Sequence, residues 1–246
     1  MRKGNGSGRR PLSRKYAAEV AAFIKVTGRL AANQFVTGYG GNAAWKLAED
    51  LILITPTMVN KGEIAAKDVV FVNRSGETVE GLRRPTGELP MYLKFFEDRP
   101  DIVSVIHCHA PSVCAFAILD GPNLLMRPFF PEVAHEVGPV PVVPYAEPLT
   151  QKLADHFEPF IRRYNSFLME NHGLVTMSPA PIEYTMMNVE LLEMAARSIL
   201  QALATGRTLK ELSREAIRGL DNVMKQRKCP MFGAPGTYRS LEELYF

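Results

Sequence analysis

Cysteine is scarce in this 246-residue chain, with Cys108, Cys114 and Cys229 the three present. Their number and spacing exclude a disulfide framework and a cysteine-based zinc site, and they suit a reducing compartment. No apolar run reaches the roughly 18–20 residues that a membrane-spanning helix needs, and Met1 to Arg10 lacks the apolar core of a secretory signal. The expectation is a cytoplasmic protein with no membrane partner. A dominant charge is lacking too. The net charge is +3, but Arg2, Lys3, Arg9, Arg10, Arg14 and Lys15 all precede the first acid, Glu19, and removing those six leaves the body at −3. That distribution argues against nucleic acid as a partner and describes a flexible basic tail over residues 1–12. Internal repeats, low-complexity segments and an interdomain linker are also missing. Residues 13–246 are therefore read as one domain, long enough to bury a substantial core.

What is present is patterned as alternating helices and strands. Pro11 to Leu30 carries Ala17, Val20, Ala21, Ile24 and Gly28 at helical spacing and predicts a first helix with Ser13 as its cap. Val36-Thr-Gly-Tyr-Gly-Gly-Asn42 is a glycine-rich loop whose amides can face an anion. It is neither a Walker loop nor a complete dinucleotide fingerprint, and alone it reads as a tight turn. Leu51-Ile-Leu-Ile54 and Val69-Val-Phe-Val72 are compact apolar runs, hence strands of a buried sheet, joined through the polar Thr55-Pro-Thr-Met-Val-Asn-Lys61. Asn73-Arg-Ser-Gly76 predicts a hairpin turn. Arg83 to Tyr92 opens a helix running to about Glu97, with Thr86 or Gly87 at the cap and Glu88 in the first turn, where a carboxylate complements the helix dipole. Pro111 to Leu119 and Pro148 to Phe160 predict further helices. The prolines within 129–131 and 140–145 suit edge strands or extended loop. Ser166 to Met177 reads as a strand interrupted at His172-Gly173, and Pro181–Thr205 and Leu209–Lys228 as two closing helices. The fold class is α/β, a mixed sheet between helices.

The chemistry-bearing stretch is Ile102-Val-Ser-Val-Ile-His-Cys-His-Ala110. On a strand His107 and His109 share one face with Val103 and Val105, so both imidazoles emerge together at its C-terminal end. Two neutral imidazoles there form a bidentate clamp for a transition metal such as Zn. An isolated His-x-His is short, however, and by itself is read as backbone hydrogen bonding. Of the other histidines, His156 lies inside a helix beside Asp155 and is read as solvated or capping, His135 carries no strong signal, and His172 stands at a strand end beside a glycine.

The order of motifs adds specificity. Gly41-Asn42, Ile54-Thr-Pro-Thr57, Pro85-Thr-Gly-Glu88, Arg99-Pro-Asp101, His107-Cys-His109, Val140-Pro-Val-Val-Pro-Tyr145 and Asn171-His-Gly173 follow one another as they do in the class II aldolase/adducin family, which the chain resembles over roughly residues 15–205. The resemblance implies a single three-layer α/β/α domain with a central, mainly antiparallel sheet. It further implies a homotetramer with sites between neighbouring subunits. His107, His109 and His172 would bind a divalent metal, commonly Zn2+ or otherwise Mn2+ or Co2+, leaving a coordination position open. Glu88 would contact that metal without substrate and carry a proton with it. Gly41, Asn42, Thr57, Met58, Thr86 and Gly87 occupy the substrate-binding positions. The implied chemistry is retro-aldol cleavage of a small ketose phosphate through a metal-stabilised enediolate.

The chain departs from that pattern in two places. Met58 replaces a glycine and Gly87 a hydroxyl residue of the phosphate pocket, with Lys61, Arg83 and Arg84 as candidate cations or else plain surface charge. The aldolases' tyrosine, which protonates the leaving oxygen, has no counterpart in Arg127-Pro-Phe-Phe-Pro131. Tyr145, Tyr238 and His135 are the substitutes available. The missing tyrosine, the altered loop and Phe129-Phe130 favour a second reading, a metal-dependent decarboxylase of a hydroxylated or aromatic carboxylic acid. A 4-epimerase, which typically carries Asp at the Glu88 position, and a non-catalytic adducin-like scaffold without the metal site complete the alternatives.

Overall fold

The computed structural model describes residues 11–246. The chain runs α1 (Leu12–Lys15), α2 (Ala17–Ala32), β1 (Asn42–Ala48), β2 (Leu51–Ile54), β3 (Val70–Val72), β4 (Thr78–Glu80), α3 (Leu89–Asp98), β5 (Ser104–Cys108) and α4 (Pro111–Ala117). It continues through α5 (Pro131–Glu136), β6 (Val142–Val143), α6 (Gln151–Asp155), α7 (Glu158–Ile161), β7 (Ser166–Met169), β8 (Gly173–Ser178), α8 (Ile182–Leu203), α9 (Arg214–Arg227) and α10 (Leu241–Tyr245). Of the tail expected over 1–12, all but Pro11 and Leu12 lies outside the described residues.

The strands form one eight-stranded sheet in the order β4-β3-β2-β1-β5-β8-β7-β6, antiparallel throughout except for β6 against β7. Alternation along β2 shows how the layers arise. Leu51 and Leu53 face a core shared with α2, α4 and α8, while Ile52 and Ile54 face one shared with α3 and α6. Helices on both faces leave no solvated side for the central strands, which is why they read as continuous apolar runs. Phe95 and Phe157, edge-to-face at 4.8 Å, anchor the α3 side, where burying each ring contributes on the order of 1.5–3 kcal/mol. The fold is the α/β/α architecture with a mainly antiparallel sheet that the motif order implied.

Several local expectations are corrected. The first helix breaks at Tyr16, and Ser13 does not cap it. Leu12 and Ser13 instead donate their N–H groups to the Glu80 carboxylate at 2.7 and 2.9 Å. A distant strand thus performs the capping expected of a local hydroxyl. The helix expected over 148–160 is two short ones, because Pro159 cannot supply the N–H that would continue α6 into α7. His156 is the C-cap residue of α6, with Nδ1 3.0 Å from the Pro144 carbonyl. The stretch 166–177 is a β7–β8 hairpin rather than one interrupted strand, its turn using Asn171 at φ +53°. Alternation before β5 is reversed, with Ile102 in the α3-side core and Val103 packed against the other. Among the described residues no helix is long and apolar enough to cross a membrane.

Candidate active site

Strand register gathers the site from segments far apart in sequence. β5 lies between β1 and β8, with His107 opposite Asn42 on one side and Val175 on the other. His109 follows the strand and donates its backbone N–H to the Phe35 carbonyl at 2.7 Å. The β7–β8 turn delivers His172 beside them. Gly173 makes this approach feasible, since a Cβ there would lie 2.7 Å from His109 Cδ2 and 2.8 Å from the Cys108 carbonyl oxygen. The expectation of close backbone approach at this glycine holds, at the first residue of β8 paired with Met169 and not in a bulge.

His107, His109 and His172 each offer a ring nitrogen, the three lying within 4.8 Å of one another. His107 donates Nδ1–H to the Leu174 carbonyl at 2.9 Å, which leaves a lone pair on Nε2, and His109 Nε2 sits 3.2 Å from that atom. Burial, and next the charge of His109, pushes His107 down to about 3; burial, and next His107, pushes His172 down to about 4. His109 is lowered by burial as well. All three imidazoles are therefore neutral at neutral pH. His172 Nδ1 is buried with no hydrogen-bond partner, the one such side-chain atom among the described residues. Three neutral imidazoles with convergent lone pairs beside one carboxylate form a donor set suited to a divalent transition metal with an open position.

Glu88 supplies the carboxylate. Its Oε2 is 3.6 Å from His107 Nε2 and its Oε1 3.6 Å from His172 Nε2. It is not in the first turn of α3 as expected but at the N-cap, where its side chain makes no capping bond. Asn42 holds it instead, donating Nδ2–H to Oε2 at 2.7 Å while Tyr92 donates its hydroxyl to Asn42 Oδ1 at 2.5 Å. Burial, followed by the Glu88 charge, raises Tyr92 well above the ordinary phenol range, so it remains a donor.

A cavity of about 190 Å³ opens onto this cluster. Every expected metal-site or substrate-site position lines it: Gly41, Asn42, Thr57, Met58, Thr86 and Gly87 together with Glu88 and the three histidines. Lys61 also lines it, whereas Arg83 pairs with Asp68 at 3.1 Å and Arg84 is exposed. Tyr39 and Leu149 line it too; Tyr39 lies in the glycine-rich loop, whose side chains were given no role, and Leu149 stands in none of the motifs. Leu149 adopts φ +67°, an unusual backbone that residue type does not signal. None of the three substitutes for the tyrosine lies here. Tyr145 is half-exposed beside Glu170, Tyr238 accepts a bond from Arg163, and His135 is 3.2 Å from Glu136 in a separate cavity shared with Tyr184. Phe129 and Phe130 pack against the α2-side core.

Comparison with known proteins agrees with this geometry. Residues 21–200 match the family described as Class II Aldolase and Adducin N-terminal domain. The chain is 31% identical over 181 residues to a 3-oxo-tetronate 4-phosphate decarboxylase of Pectobacterium atrosepticum, covering 73% of this chain and 82% of that one. It is 30% identical over 179 residues to an L-fuculose phosphate aldolase of Methanococcus maripaludis, covering 73% and 94%. The crystal structure of YgbL from Klebsiella pneumoniae superposes with a TM-score of 0.76 at 29% identity, covering 83% of this chain and 98% of that one.

Proposed function

The chain belongs to the class II aldolase and adducin family, and from that premise we propose that it is a divalent-metal-dependent carbon–carbon lyase acting on a small phosphorylated hydroxy compound, by retro-aldol cleavage. The observation that carries the reading is the convergence of His107, His109, His172 and Glu88 at the floor of one small cavity. A scaffold has no use for three neutral imidazoles, one buried and two half-buried, gathered beside a carboxylate. When bound, the cation, read as Zn2+ with Mn2+ or Co2+ as alternatives, supplies a fixed positive charge beside the carbon that turns negative when the bond breaks.

The chain's own residues perform the rest. Glu88, oriented by Asn42, returns a proton to the carbon that loses its bond, a general acid/base task typically contributing about 10² to 10⁴-fold. Thr57, Thr86 and the backbone around Met58 and Gly87 orient the substrate against the cavity wall. In this reading Tyr39, the tyrosine that lines the cavity, gives the proton to the departing aldehyde oxygen. The assembly is read, from the family resemblance, as a tetramer, with Tyr39, Met58 and Leu149 as exposed lining residues that a neighbouring copy would cover. A cytoplasmic location completes the proposal.

Decarboxylation on the same cluster is the second reading. It is favoured because the stretch 127–131 brings no tyrosine to the site and because carbon dioxide leaves without needing a protonated oxygen. A relative with that activity is 31% identical. Both readings are tested by loading the purified protein with metal and offering ketose 1-phosphates and phosphorylated 3-oxo acids, following aldehyde and carbon dioxide separately. Aldehyde release supports the first and carbon dioxide release the second. Product formation that survives His107→Ala and His109→Ala together would defeat both.

A further inference from the structure

We propose that Lys61 is the charge partner of the substrate's phosphate group and so a specificity-determining residue of this site. The assignment names the substrate class of the lyase reading above and rests on that reading only in taking the cavity as the substrate site. Lys61 is 2% exposed, and no carboxylate among the described residues lies within ion-pair distance of it. An ammonium carries three donors. Two are used, toward the carbonyls of Tyr39 and Val59, each at 3.0 Å, and the side chain lines the cavity. A buried cation without an anion is costly, and an entering oxyanion removes that cost. Burial lowers the Lys61 pKa while the Glu88 charge raises it, so the neighbouring carboxylate helps to keep it charged.

The surroundings form a built site and not a chance contact. Lys61 opens a 3-10 turn, Lys61–Glu63, that Asn60 caps by accepting the Gly62 N–H at 3.0 Å. The turn is pressed so closely onto α2 that a Cβ on Gly62 would lie 3.1 Å from Ala31 Cβ. Three residues earlier Met58 holds φ +56°, a left-handed backbone that strains any residue but glycine. The loop therefore keeps the shape a glycine would give it, although the glycine is gone. The N–H groups of Met58 and Gly87 bond to no backbone carbonyl among the described residues, and the Thr57 and Thr86 side chains stand beside them. Asn42, a candidate for the anion, gives one Nδ2–H to Glu88, accepts from Tyr92 and carries no charge. Charge for the anion has to come from elsewhere, and of the three cations singled out in the sequence Lys61 alone lines the cavity. Donors arriving from the β2–β3 connection and from the N-terminus of α3 suit a tetrahedral group with three free oxygens better than a planar carboxylate.

The test is a titration of the metal-loaded protein with inorganic phosphate, read by phosphorus NMR line broadening, with acetate as the carboxylate control. Lys61→Met is expected to weaken phosphate binding about tenfold or more, as for loss of a charge-assisted bond, and Lys61→Arg to retain most of it. With a phosphorylated substrate the Met variant raises KM and leaves kcat nearly unchanged. Metal content and circular dichroism check folding, and Lys61→Gln, which retains a donor without charge, is read the same way should the Met variant not fold. Phosphate binding unchanged in the Met and Gln variants, or loss of acetate binding alone, overturns the proposal. Phosphate binding through Lys61 in a protein that cleaves no phosphorylated compound would defeat the lyase reading and leave this one standing.

Discussion

Asn42 donates to Glu88 Oε2 at 2.7 Å across 46 residues of sequence, and its other amide atom accepts the Tyr92 hydroxyl, so the orientation of the carboxylate is set from β1 and α3 at once. Because an ionised carboxylate only accepts, a flipped amide would turn Oδ1 toward Glu88 and lose that bond, so the carboxylate fixes which way the amide points.

Removing that support should reduce turnover more than substrate binding. Asn42→Ala is expected to lower kcat about 10 to 100-fold, the range typical when a supporting hydrogen bond to a metal-site group is lost. Tyr92→Phe should act in the same direction and more weakly, and should cost about 1–3 kcal/mol of stability by stranding a buried acceptor. Steady-state kinetics with urea denaturation would check both. An unchanged kcat in Asn42→Ala would show that Glu88 needs no such support.

The imidazole cluster makes the metal-free protein sensitive to acid. His107 and His172 titrate at about 3 and about 4 in the folded chain against an ordinary value of 6.5. Between pH 6.5 and about 4 the unfolded chain therefore binds protons that the folded chain refuses, and stability rises with pH across that window. Each group contributes up to about 1.4 kcal/mol per pH unit there. Chelator-treated protein should unfold at lower urea at pH 5 than at pH 7, and His172→Gln should flatten the difference. Equal midpoints at the two pH values would contradict this.

Gly173 is a packing requirement of the site. A methyl group there meets His109 Cδ2 at 2.7 Å and the Cys108 carbonyl at 2.8 Å, so Gly173→Ala has to displace a ring or the turn. The variant should fold with a loss of about 1–3 kcal/mol and bind divalent metal at least tenfold more weakly than the parent. Metal titration by calorimetry decides it, and full affinity in the variant would show that the rings have room to yield.

Arg99 joins the part of the chain matched by the family to the part beyond it. Its guanidinium is 1% exposed and bonds Asp101, the carbonyls of Ile161 and Tyr164, Asn165 and the Gly233 carbonyl at 2.7 Å. Arg99→Met leaves these acceptors buried and unpaired and should cost about 3–5 kcal/mol. Urea denaturation measures this, and limited proteolysis should show the first cleavages near residues 228–238. A loss below 1 kcal/mol would mean that water replaces the guanidinium.

The residue pattern was enough to read β2, β3 and β5 and most of the cavity lining, because those strands are β-branched apolar runs and each motif is contiguous, whereas β1, with no β-branched residue, went unread. The pair His107 and His109 was legible from a period of two, and the positions from Gly41 to His172 from their order. Which groups touch was set by folding. Glu80 capping α1, Asn42 holding Glu88 and Lys61 turned inward all depend on register or packing between segments far apart in the chain, which no local spacing encodes. Lys61 and Arg83 look alike in the sequence, as cations near one loop. A turn packed on α2 buried the first and left the second half-exposed beside Asp68, and that desolvation is what separates a binding charge from a surface one.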